Sequence, residues 1–188
     1  MSGRQDHARL LQRSREGDRA ALDAMFAAVY DELRDLAAAH MRHERPDHTF
    51  QPTALAHEAF LRLLGQRALP AEDRGHFLAL AAQAMRRILT DHARRRRAAK
   101  RGADPLRVTL AAADSEPVAE DFDVVALDDA LERLAALDER RARVVDLRFF
   151  GGLTIDETAA VLGISPATVK TDWAFARAWL LRELSGGA

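Results

Sequence analysis

The stretch "LTIDETAAVLGISPATVKTDWAFARAWLLREL", residues 153–184, constrains the fold more than any other part of the chain. Thr154 followed three residues later by Glu157 has the form of a capping box, in which each side chain satisfies a free amide at the start of a helix. Gly163 suits the left-handed residue that ends such a helix, and Ser165 with Pro166 supplies an N-cap and a first residue for the next. Two helices joined by a tight glycine-containing turn, the second one long, describe a helix-turn-helix. The N-terminal part of its second helix reaches base edges in the major groove, while capped amides meet phosphate. Helical phase turns Ser165, Ala167, Thr168, Lys170, Thr171 and Arg177 outward and sends Val169, Trp173 and Ala176 toward the core.

The rest of the chain carries the same periodicity. Leu22, Met25, Phe26, Val29, Leu33, Leu36 and Ala37 keep three-and-four spacing and predict a helix from Asp18 to about His43. A second helix is expected over Pro52–Leu64, and a third carries Phe77, Leu80, Ala81, Ala84, Met85, Ile88 and Leu89 before ending in "DHARRRRAAKRG". Further helices are expected over 124–137, 138–150, 154–162 and 165–184, and no strand pattern of useful length is visible. The expected fold class is all-α: a helical bundle over residues 1–101, a flexible acidic linker over 102–123 and a helix-turn-helix domain over 124–188.

A formal net charge of -1 conceals a segregation of sign. The third helix holds Arg86, Arg87, Arg94, Arg95, Arg96, Arg97, Lys100 and Arg101, a density that attracts phosphate and makes binding salt-dependent. No Lys or Arg lies between Arg107 and Arg133, whereas seven acids lie between Asp114 and Asp129. Such a tether is a solvated linker, or a segment that folds back on the basic surface or mimics nucleic acid. The chain has no cysteine, which removes disulfides and thiolate metal sites. No apolar run approaches membrane-spanning length and no signal-peptide core is seen, so the expected location is cytoplasmic, with no membrane partner. His40, His43, His48 and His57 lie close in sequence with Glu58 beside the last, but they share no strong zinc spacing. No metal, cofactor or catalytic residue is expected.

With these segments in view, the chain resembles the extracytoplasmic-function (ECF) group of bacterial sigma factors, the dissociable promoter-specificity subunits of RNA polymerase. "REGDRAALDAMFAAVYDELRDLAAAHMR" resembles region 2.1, "ALAHEAFLRLL" region 2.2, "FLALAAQAMRRILTDHARRRR" regions 2.3 and 2.4, and residues 127–180 region 4. The resemblance implies that region 2 docks on the clamp helices of the polymerase's largest subunit through Glu58, Phe60, Leu61 and Arg62. It further implies capture of the melted -10 element by Arg86, Arg87, Asp91, Arg94 and Arg95, and reading of the -35 element by Ser165, Thr168, Lys170, Thr171 and Arg177. Region 4 would then lie near the flap of the second-largest subunit, and an anti-sigma factor is a conceivable regulator.

Two departures from the family pattern stand out. Asp172 occupies a place where a basic residue often sits, which implies weaker phosphate affinity on the recognition helix. Region 2.2 commonly opens with an acidic cluster resembling "DAED", yet Gln51, Pro52, Thr53 and Ala54 stand here. A phosphate on Thr53, placed by a Ser/Thr kinase, would restore the missing charge at the positive end of a helix. The competing functional class is a stand-alone helix-turn-helix regulator that binds a palindrome as a dimer.

Overall fold

The computed structural model describes residues 16–40, 51–64, 74–99, 105–109 and 121–185, together with residues 9, 10 and 13. Helices α1 (Arg19–His40), α2 (Pro52–Leu64) and α3 (Arg74–Ala99) come first, and strands β1 (Arg107–Thr109) and β2 (Asp121–Asp123) follow. Then come α4 (Val124–Leu137), α5 (Glu139–Val145), a single π-helical turn (Asp146–Phe150), α6 (Ile155–Leu162) and α7 (Pro166–Ser185). The fold is all-α apart from the small β1–β2 pair, as the periodicity predicts. The expected extension of the first helix to His43 lies outside the described residues, as do His43 and His48.

Local chemistry explains where the elements begin. Asp18 caps α1 by accepting from the Ala21 amide at 3.1 Å, and its carboxyl is held below the usual range first by that bond and then by Arg13. Asp123 caps α4 and Asp138 caps α5 through their side chains. The 138–150 segment, expected as one helix, changes instead to π geometry after Val145. There the Gly151 amide donates to the Asp146 carbonyl at 2.9 Å, one residue beyond the α-helical partner.

Within the segment expected to be a linker, β1 and β2 pair antiparallel with Val108 opposite Phe122. Leu106, Val108 and Phe122 are buried, so a few apolar side chains anchor this segment to the core. Three-residue strands are too short to show a readable alternation.

Helix α3 organises the molecule. Its Phe77, Ala81, Met85 and Ile88 are fully buried, at the spacing of one apolar stripe. It packs against α2 on one side and against α4, the π-helical turn and α6 on the other. The buried side chains consequently form one contiguous cluster that runs from Leu33 to Leu180.

Candidate nucleic-acid interface

The helix-turn-helix has the local chemistry that its sequence predicts. The Glu157 amide donates to Thr154 Oγ1 at 3.2 Å, and the Thr154 amide donates to the Glu157 carboxylate at 2.9 Å, which completes the capping box. Gly163 ends α6 at φ +65°, in the left-handed region. The Thr168 amide then donates to Ser165 Oγ at 3.1 Å, so Ser165 caps α7, while the Ser165 and Thr168 hydroxyls lie 2.8 Å apart.

Ser165, Ala167, Lys170 and Thr171 are exposed and Thr168 and Arg177 are half-buried, whereas Val169, Trp173, Ala176 and Leu180 are buried. The Thr171 hydroxyl donates to the Ala167 carbonyl at 3.1 Å, which leaves its methyl and oxygen on the outer face. This outer face combines hydroxyls, one ammonium and small side chains, a mixture suited to base edges and phosphate.

Asp172 corrects the sequence reading. Its carboxylate is only 3% exposed and does not lie on the outer face. It accepts from Arg140 at 2.7 and 3.2 Å and from Arg141 at 3.3 Å. The reason is helical phase: Asp172 follows Val169 by three residues and precedes Ala176 by four, so it belongs to the buried stripe. Arg141 also stacks on Phe175, 3.8 Å from the ring centroid, and thereby ties α5 to α7.

Burial alone would raise the Asp172 carboxyl, but the bonds from Arg140 and Arg141 outweigh it and hold the group below its ordinary value. A depressed folded-state value means stability that is present above the unfolded carboxyl range and lost as pH falls through the folded value. Asp172→Asn should therefore cost about 2 kcal/mol at neutral pH, because both guanidinium groups keep some solvent. The gap to the parent should hold from about pH 7 to about 5 and narrow only as pH falls through the unfolded carboxyl range toward the lower folded value, so that it is smaller at about pH 3 than at about pH 7. Urea unfolding at the two pH values measures this, and a gap independent of pH would contradict it.

The second group of sequence-predicted residues lies on α2 and α3. In α2, Leu61 is 51% exposed, and Phe60 is half-buried with its ring stacked on His57 at 6.2 Å. Arg62 bridges Glu58 and Asp91, each at 3.3 Å, so one guanidinium links the α2 surface to α3. Thr53 is exposed in the first turn of α2, which contains no acid.

On α3, Arg87, Asp91 and Arg95 are exposed. Arg86 and Arg94 meet carboxylates of the second half of the chain, in a cleft that Arg87 and Asp91 also line. Arg86 donates to Asp128 at 2.8 Å and to Asp146 at 2.9 Å, while Arg94 contacts Asp128 at 3.3 Å and Asp129 at 3.0 Å. Arg97 pairs with Asp123. A polar cleft of about 290 Å³ lies here between α3 and α4.

Burial alone would lower Arg86, but the Asp146 and Asp128 carboxylates outweigh it and hold the guanidinium above its usual value. For Asp146, burial raises the carboxyl against the opposing pull of Arg86. Sequence reasoning missed Asp128 and Asp146 as partners. The one available signal was the acidic block that follows the basic helix.

Among the described residues no cluster of His, Asp and Glu could hold a metal ion, and no helix is long and apolar enough to cross a membrane.

The geometry is therefore a capped recognition helix and a separate arginine-rich helix on one all-α frame. A search of curated proteins gives no match. The family model described as ECF sigma factor matches residues 4–186, which is nearly the entire chain. On this ground the chain belongs to the ECF sigma factor family and is an RNA polymerase sigma factor for transcription initiation.

Proposed function

We propose that the chain works as two DNA-gripping modules on one polymerase-bound frame. Residues 1–101 serve core polymerase and the -10 element, residues 124–188 serve the -35 element, and 102–123 tether them. The observation that carries this reading is the outer face of α7, where Ser165, Thr168, Lys170, Thr171 and Arg177 project from a helix whose opposite side is packed. Lys170 and Arg177 supply phosphate affinity, and the hydroxyls supply base contacts.

On α3, Arg86, Arg87, Asp91, Arg94 and Arg95 form the set for the melted -10 strand, with cations along the backbone and Asp91 able to accept from a base. Core polymerase docks on α2 through Glu58, Phe60, Leu61 and Arg62. Support comes from the exposed Leu61 beside the Glu58–Arg62 pair, an apolar contact rimmed by charge. The partners are the clamp helices of the largest subunit, with the helix-turn-helix near the flap of the second-largest. The chain acts in the cytoplasm with no catalytic step or cofactor of its own, since the polymerase makes the RNA.

Thr53 is the regulatory point. It is exposed in a first turn that carries no acid, where free amides and the helix dipole favour an anion. Phosphorylation by a Ser/Thr kinase adds nearly two negative charges there and creates a docking contact with basic clamp residues. Control by a kinase in this way replaces release from an anti-sigma factor.

Run-off transcription from genomic fragments with core polymerase, with and without kinase treatment, tests both parts. Specific transcripts that require this chain are expected, and the absence of any would overturn the functional reading. Core binding should rise from Thr53→Ala to Thr53→Glu to the phosphorylated protein. Equal binding by all three would remove Thr53 as the switch.

A further inference from the structure

Between Pro166 and Arg177 the recognition helix carries its own cations on one flank only. Lys170 and Arg177 follow one another by seven residues and share that flank. The opposite flank holds Thr168, Thr171 and Phe175, at three-and-four spacing, with no Lys or Arg among them. A helix in the major groove lies between two phosphate backbones, so a cation on each flank is favoured.

Helix α5 supplies the missing one. The Arg141 guanidinium lies 3.8 Å from the centroid of the Phe175 ring, and Phe175 is 45% exposed. Arg141 Nε is 3.3 Å from the Asp172 carboxylate and 3.2 Å from that of Asp138. Both carboxylates thus meet one edge of the guanidinium, and among the described residues Nη1 and Nη2 have no hydrogen-bond partner.

We propose that Arg141 is a phosphate contact of the -35 element, set on the recognition face by Phe175 and Asp172, which act as positioning residues. The inference rests on the assignment of α7 to duplex DNA. Stacking uses the flat face of a guanidinium and leaves its edges free, and a phosphate takes two parallel N–H donors from such an edge. Because the ring holds Arg141 by its face and the carboxylates hold it by Nε, little rotamer freedom is lost when the Nη pair closes on a phosphate. Arg140 is the closer partner of the Asp172 carboxylate, at 2.7 and 3.2 Å, which leaves the Arg141 charge available to DNA. Asp172, a carboxylate on the recognition helix, therefore strengthens the grip on DNA by orienting a cation from α5.

Binding of the full chain to a mixed-sequence DNA duplex of about 30 base pairs, followed by anisotropy between about 50 and 200 mM salt, tests this. Arg141→Gln should bind about fivefold more weakly, and the slope of log K against log salt should become shallower by about 0.9, the value of one phosphate contact. A residue that only ties α5 to α7 would leave that slope unchanged. Arg141→Lys should keep the slope and recover part of the affinity, since an ammonium carries the charge without the fork. Phe175→Leu, which removes the stacking surface, should bind about threefold more weakly.

Asp172→Asn gives a test of sign. It removes a negative charge beside the DNA, which by charge alone would tighten binding, yet it loosens the hold on Arg141 and should bind more weakly. This variant is compared at a temperature where its circular dichroism matches that of the parent, and the Arg141 and Phe175 variants do not depend on it. An unchanged slope for Arg141→Gln overturns the proposal, as does binding by Phe175→Leu or Asp172→Asn equal to or tighter than that of the parent. A parent that binds no duplex at about 50 mM salt overturns instead the reading of α7 as the DNA-reading helix, and the proposal with it.

Discussion

Arg148→Ala is expected to cost about 4 kcal/mol and to collapse the packing of the helix-turn-helix. Arg148 is 1% exposed, the largest side chain buried to that degree among the described residues. Its Nη1 donates to the Leu153 carbonyl at 2.9 Å, and its guanidinium lies 5.6 Å from the Trp173 ring centroid. The carbonyl belongs to the loop that leads into the Thr154 cap, and Trp173 belongs to α7, so one side chain spans the π-helical turn, the cap and the recognition helix. Alanine removes the donor and leaves a cavity beside the Leu153 carbonyl and the Trp173 ring, in an interior too closely packed to collapse into it. Arg148→Met keeps most of the volume and should recover about half of the loss. Urea unfolding followed by tryptophan emission reads the effect. A loss below about 1 kcal/mol for the alanine variant would show that the buried cation contributes little beyond its desolvation cost.

Part of this arrangement was legible in the sequence, and the reason is locality. Thr154, Glu157, Gly163 and Ser165 act on amides within five residues, so their spacing alone placed α6, the turn and the start of α7. Val169, Trp173 and Ala176 were likewise placed inward by phase. The reading of Asp172 came from the family pattern, which often has a basic residue there, and not from phase; its place in the stripe puts it inside, where Arg140 and Arg141 neutralise it from 32 and 31 residues away. The Arg86 contacts are more distant still, 42 and 60 residues along the chain, and pairings of that kind leave no periodic trace. The segregated charge showed that opposite patches existed. It could not show which carboxylate meets which arginine. The change to π geometry at Asp146 carries no glycine or proline of its own to announce it.

That π-helical turn leads to the last expected result, a loss of about 3 kcal/mol for Gly151→Ala. Gly151 has an ordinary backbone conformation, φ -91°, so its need for a missing side chain is not conformational. It is steric: an added Cβ would lie 2.6 Å from the Leu147 carbonyl oxygen, 2.9 Å from Leu153 Cδ1 and 3.3 Å from the Ala82 methyl. The nearest of these is backbone and cannot step aside without breaking the turn, where the Gly151 amide itself donates to Asp146 and the Leu153 amide donates to the Leu147 carbonyl at 3.0 Å. Gly163 makes the contrasting control. Nothing lies within 4 Å of a Cβ there, and its φ of +65° makes the cost purely one of backbone preference. Gly163→Ala should therefore lose only about 1 kcal/mol. Thermal melts of the two variants separate a steric cause from a conformational one. Equal losses would mean that the turn yields to the added methyl, and that the close approach between the turn and α3 is not what fixes the second half of the chain on the first.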